Sequence, residues 1–139
     1  MTARQVYNRA IALINERSSG GAYHEDVEDF EKNAPEVMNS IITLLWPSQC
    51  IIEKKKLKAL SWDFNPIGSM DDEIPLHISL ASGPLPFALA SFLLLEEDAQ
   101  RADYFYTLFK KSEESVMKSF AYATHTKIRD IYSGDVNGA

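Results

Sequence analysis

Apolar positions recur at helical intervals along most of this chain. In the first segment Val6, Ala10 and Ile14, together with Tyr7 and Ile11, fall three or four residues apart, the spacing that gathers side chains on one face of a helix. Thr2 stands three residues before Gln5, where a hydroxyl and a side-chain amide can each satisfy a backbone N–H of the first turn. The two features predict a helix over about residues 3–17. "SSGGAY" then interrupts the period with a pair of glycines. The period resumes in "HEDVEDFEKNAPEVMNSIITLLWP", where Val27, Phe30, Ala34, Val37, Met38, Ile41, Ile42 and Leu45 share a broad face of a second, long helix. Pro35 lies inside it and removes one hydrogen bond, so the helix kinks there or restarts with Pro35 in its first turn, and Pro47 closes it.

From Ser48 to Leu80 the helical period is lost, and short β-favouring pieces alternate with the turn residues Asn65, Pro66, Gly68 and Pro75. This predicts a two-stranded hairpin or an ordered loop. A connection of that length in a small domain often carries function. Trp62 and Phe64 alternate with Asp63, which suits either one face of a strand or a cap over the core. Helical signals return with Gly83, Pro84 and Pro86, residues fit to open a helix. "LPFALASFLLLEED" follows, apolar from Leu85 to Leu95 except at Ser91. A membrane-spanning helix needs about twenty such residues, so this run is a core helix, and being apolar on every side it should be the most central one.

Glu96, Glu97 and Asp98 oppose the dipole at the end of that helix but favour it at the start of the next, which places a sharp corner between the two. The last long helix, about 98–118, carries Ala102, Phe105, Leu108, Phe109, Ser112 and Val116 on one stripe, with Lys110, Lys111, Glu113 and Glu114 outside. Beyond Lys118 the stripe fades. Residues 119–139 read as a C-terminal tail in which Ile128, Ile131 and Tyr132 keep three apolar groups close together before the polar "SGDVNGA". The whole pattern predicts one all-α domain over 1–139, a bundle of four to five helices with a hairpin or ordered loop at 48–80 between the second and third main helices.

Composition agrees with one packed domain: 139 residues, 45% of them hydrophobic, can fill a core. The net charge of −6 repels nucleic acid except where a local basic patch intervenes, and Lys54, Lys55, Lys56 and Lys58 form the one dense run of cations. That run fits an acidic partner or a solvated turn. Cys50 is the only cysteine; it has no partner for a disulfide or a zinc knuckle, fits a reducing cytoplasm and reads as a small buried hydrophobe. The first eighteen residues lack the unbroken apolar core of a signal peptide.

Candidate chemistry is sparse. The carboxylates at 96–98 could attract a hard cation, but consecutive helical positions point in different directions, and corner capping explains them better. Glu25 and Glu28 stand three apart on one helical face, a spacing that helical nucleotide pyrophosphatases use to hold magnesium. The second acidic pair of that arrangement is missing, for Glu36 is followed three residues later by Asn39. His24, His77 and His125 are scattered, and there is no glycine-rich phosphate loop, nucleophile elbow or Cys-His signature. The expectation is a protein that is not an enzyme and holds no catalytic residue, metal or cofactor.

The stretch "DEIPLHISLASGPLPFALASFLLLEEDAQRADYFYTLFKKSEESV" resembles the C-terminal half of the head-tail connector, or adaptor, proteins of tailed bacteriophages and prophages. There an "IPL" segment leads to an "LP" helix start, an alanine- and leucine-rich helix, an acidic corner and an aromatic helix. "VYNRAIALINE" is similar to the family's opening helix. "DFEKNAPEVMNSI" is similar to its "DY..R.P.LIN.A" helix, with Phe30 for the usual tyrosine and Lys32 and Asn33 for the usual Asn-Arg pair. The resemblance covers about residues 3–118. It implies a structural virion protein that assembles as a ring, commonly of twelve copies, beneath the portal in the virion neck, after folding in the host cytoplasm. The implied partners are other copies of itself, the portal protein and a head- or tail-completion protein, with DNA passing through unbound and no membrane involved. By the same analogy Ile128, Ile131 and Tyr132 would anchor to the portal, the alternative being that they pack back onto their own bundle, and the run with Lys54, Lys55 and Lys56 would make a subunit or tail-side contact; Trp62 and Phe64 are further candidate partner contacts. A helical interaction or regulatory protein with a single partner is the alternative, and a small helical pyrophosphatase the next.

Overall fold

The structure, a computed structural model, describes residues 1–16, 27–53 and 63–137, with side chains over 1–15, 28–53 and 63–121. It is all-α. The elements are α1 (Ala3–Glu16), α2 (Val27–Ile52), α3 (Ile78–Ser82), α4 (Pro84–Leu94) and α5 (Ala99–Asn137). Among the described residues there is no strand, only an isolated antiparallel bridge between Thr2 and Glu73.

The start of α1 is capped twice. Thr2 N–H donates to Gln5 Oε1 at 3.0 Å and Gln5 N–H to Thr2 Oγ1 at 3.3 Å, the reciprocal pair that the spacing predicts. The next two donors are met from a distant part of the chain, since Ala3 N–H reaches Asp72 O at 2.9 Å and Arg4 N–H reaches Met70 O at 2.8 Å. Val6, Tyr7, Ala10 and Ile14 are buried, while Gln5, Asn8 and Arg9 face water.

One continuous helix, α2, runs through both Pro35 and Pro47. It neither restarts at the first nor stops at the second, and it ends at Ile52. An interior proline costs about 3 kcal/mol or more through the lost bond and a ring clash. Burial on both sides of Pro47 holds the turn together, because Leu45, Trp46, Gln49 and Cys50 are all packed in the interior. The expected apolar face is otherwise as read, with Phe30, Ala34, Met38, Ile41, Ile42 and Leu45 buried and Val37 only partly so.

Gly83 precedes α4, and Pro84 is its first residue, where a missing N–H leaves nothing unsatisfied. Leu85, Ala88, Leu89, Ala90 and Leu94 are inaccessible to water, and α4 touches each of the other four helices. Its lone polar interruption is satisfied inside the core, where Ser91 Oγ donates to Ala102 O at 2.7 Å. The corner follows at once. Asp98 Oδ1 accepts from Arg101 N–H at 3.1 Å and thereby caps α5.

Phe105 and Phe109 of α5 fill the core beside α4. The helix does not end near Lys118 where the apolar stripe fades; it continues to Asn137. No glycine or proline stands between Ala99 and Gly134, so nothing in the backbone breaks it. None of the described helices is long and apolar enough to cross a membrane.

Candidate functional site

Two surfaces stand out, one built on an irregular loop and the other on a groove. Residues 63–77 form no regular element, so their backbone groups must find partners elsewhere. Two amides of α2 supply them. Asn39 brackets Ile67, donating from Nδ2 to Ile67 O at 2.9 Å and accepting at Oδ1 from Ile67 N–H at 2.7 Å. Gln49, 4% exposed, accepts from His77 N–H at 2.6 Å and donates to Glu53 Oε1 at 2.7 Å. Within the loop Asp72 Oδ2 gathers the N–H groups of Gly68 and Ser69 at 2.8 and 2.9 Å. His77 then opens α3, its Nδ1 accepting from Ser79 N–H at 3.2 Å while its ring meets the Phe120 ring edge-on at 5.4 Å. The loop is thus tied to α1, α2 and α5 and presents a fixed shape.

The groove lies between the N-terminal half of α2 and the α4–α5 corner. Phe30, Val37, Phe92, Leu93 and Leu95 give it an apolar floor, and Asp29, Glu36, Glu96 and Glu97 line it with carboxylates. Leu95 is 56% exposed. Phe92 and Leu95 also line a second depression, shared with Ala99, Asp103 and Tyr106 of α5, so the apolar surface continues over the corner.

Phe64 is half-buried and packs on Trp46 at 5.1 Å between ring centroids. Lys54, Lys55, Lys56 and Trp62 lie outside the described residues, as does Glu25. Ile128, Ile131 and Tyr132 belong to the last turns of α5, with side chains outside the described set. The residues singled out from the sequence are therefore not gathered at one described place. The groove residues Glu36, Phe92 and Leu95 escaped that reading, though one signal pointed to them. A run apolar on every side needs neighbours on every side, and Leu95 is left 56% exposed.

Electrostatics mark no reactive group. Burial pushes the Tyr7 phenol up, and Glu31 adds to the shift. The hydrogen bond from Arg4 to Glu31 raises the guanidinium further and ties α1 to α2 at the surface. Among the described residues no three His, Cys, Asp or Glu side chains converge as metal ligands. Comparison with protein-family models, with curated proteins and with solved structures finds no match to this chain.

Proposed function

We propose that the chain is a structural head-tail connector subunit that assembles as a ring under the portal and links head to tail. The observation that carries this reading is a stripe along α2. Val37, Leu44 and Ile51 recur every seven residues, and Leu44 and Ile51 remain 54% and 49% exposed. Seven-residue spacing keeps apolar groups on one seam, the form of surface that takes a second helix. Support also comes from the element boundaries, because the LP of the resembled pattern, Leu85-Pro86, falls in the first turn of α4 and its acidic corner ends at Asp98, which caps α5. An acidic chain suits a ring through which DNA slides, since a cationic lumen would hold phosphates.

The test is binding to a portal protein, taken from the same locus if the reading is right. Full-length protein is expected to co-sediment with portal rings. A chain lacking residues 126–139 is expected to melt cooperatively at nearly the same temperature and to lose that binding. A locus without portal, capsid and tail-completion genes, or a chain that ignores portal rings, would overturn the proposal.

A further inference from the structure

The acidic groove has an apolar floor, and the chain contains one segment of matching chemistry. Asp29, Glu36, Glu96 and Glu97 line the groove, and among the described residues that line it there is no lysine or arginine. The segment 54–62, "KKKLKALSW", carries four lysines with Leu57, Leu60 and Trp62 among them and no acid. In a chain of net charge −6 it is the only place where cations and large apolar residues are so closely interleaved.

Reach decides which copy it can serve. The segment leaves α2 after Glu53 and rejoins the described chain at Asp63, and both residues line one depression beside Trp46 and Phe64. Ten links of at most ~3.6 Å give about 36 Å of chain, so a path out and back extends no more than about 18 Å. Ser40, the nearest groove residue on α2, is about 20 Å from Glu53 along the helix, and Phe30 is about 35 Å away. By this bound the backbone of such a segment falls short of the groove residues on α2 of its own chain.

We infer that the groove between α2 and the α4–α5 corner receives the lysine segment 54–62 of a second copy. The contact joins two different surfaces, so it runs head to tail and closes a ring when the rotation between copies permits. Carboxylates at the rim meet the lysine ammonium groups, while Leu57 and Leu60 cover Phe92 and Leu95. Charge attraction across a partly exposed rim weakens with salt. The inference rests on the ring-subunit reading above and adds the two surfaces that meet.

Charge exchange in the full-length protein tests it. One variant reverses the groove (E36K/E96K/E97K) and another reverses the segment (K54E/K55E/K56E). At low ionic strength the wild-type chain is expected to self-associate in sedimentation equilibrium. Carbodiimide coupling of mixed isotope-labelled and unlabelled chains is expected to join Lys54, Lys55, Lys56 or Lys58 of one to Glu36, Glu96 or Glu97 of another. Each reversed variant alone should lose about tenfold or more in association, and the two mixed together should recover it. Recovery on mixing separates a charge contact from misfolding. The inference is overturned if the wild-type chain stays monomeric with cross-links only within one chain, if either variant associates like wild type, or if two variants that melt normally fail to pair. Portal rings divide the two proposals. A chain that binds portals while its reversed variants associate like wild type would remove the groove contact alone, whereas paired charge rescue in a chain that ignores portals would remove the connector reading alone.

Discussion

Adding one methyl group at Gly83 tests the packing of α3 and α4 on α5. A Cβ at that position would stand 2.8 Å from Ser79 O, 3.1 Å from Ser112 Oγ and 3.9 Å from Val116 Cγ2. The backbone has φ of −92°, which an alanine can adopt, so the cost is steric. Ser112 can rotate its hydroxyl away. Ser79 O cannot move freely, because it accepts the N–H of Gly83 itself at 3.2 Å. Overpacking costs about 1–3 kcal/mol and a strained hydrogen bond adds about 0.5–1 kcal/mol, against about 0.4–1 kcal/mol recovered from the stiffer unfolded chain. The net for Gly83→Ala is a loss of about 2 kcal/mol, or roughly 6–8 °C in melting temperature for a chain of this size. Thermal and urea unfolding followed by circular dichroism would measure it. Ser112→Ala in the same chain should restore only a minor part, since the closest contact is to backbone. A melting temperature within about 1 °C of wild type, or full rescue by Ser112→Ala, would refute the close approach at Ser79.

Asp98→Ala should lower stability by about 0.5–2 kcal/mol through loss of the cap on Arg101 N–H, with chelators and added magnesium leaving the melting curve unchanged. Leu89→Ala should cost about 2–5 kcal/mol because Leu89 is wholly buried. Phe92→Ala should cost less in stability, since Phe92 is only partly buried and lines the groove; equal losses would contradict that placement. Asn39→Ala removes both bonds to Ile67 and should cost about 1–3 kcal/mol, with faster hydrogen exchange at the Ile67 amide as its local signature. Tyr7 has its pKa raised by burial, so its contribution is complete below the unfolded value of about 10 and is lost as pH rises through the folded one. Tyr7→Phe should therefore flatten the alkaline fall in stability, and identical pH profiles for the two proteins would count against the burial of the phenol.

Features that depend on neighbours in sequence were legible. The Thr2–Gln5 box, the Pro84 start, the burial of α4 and the cap at Asp98 each rest on residues within one turn of the position they explain. Two boundaries were not. Pro47 signals a helix end by local rules, yet the buried side chains around it carry α2 on to Ile52. The fading stripe after Lys118 signals a tail, yet α5 runs on to Asn137, with no glycine or proline before Gly134 to break it. Of the hairpin or ordered loop expected over 48–80, residues 63–77 take the form of a loop, whose bonds come from Asn39 and Gln49 of α2. In sequence these two amides look like any polar positions on an amphipathic helix.

The same distinction explains why the groove was hidden. Val37, Phe92 and Leu95 each belong to an apolar pattern that predicts burial, and pattern alone cannot say which member of a face is left over once the helices have packed. That surplus is set by tertiary geometry. α4 is flanked by every other helix along most of its length, but it ends at the corner where α5 turns away, and there Leu95 stands 56% exposed. Glu96 and Glu97 follow it on the turn and line the same groove, while Asp98 alone is committed to the cap. One short acidic sequence thus divides between two tasks. The prediction for Asp98→Ala separates them: it should weaken the fold and leave charge pairing across the groove intact, whereas E36K/E96K/E97K should reverse the pairing.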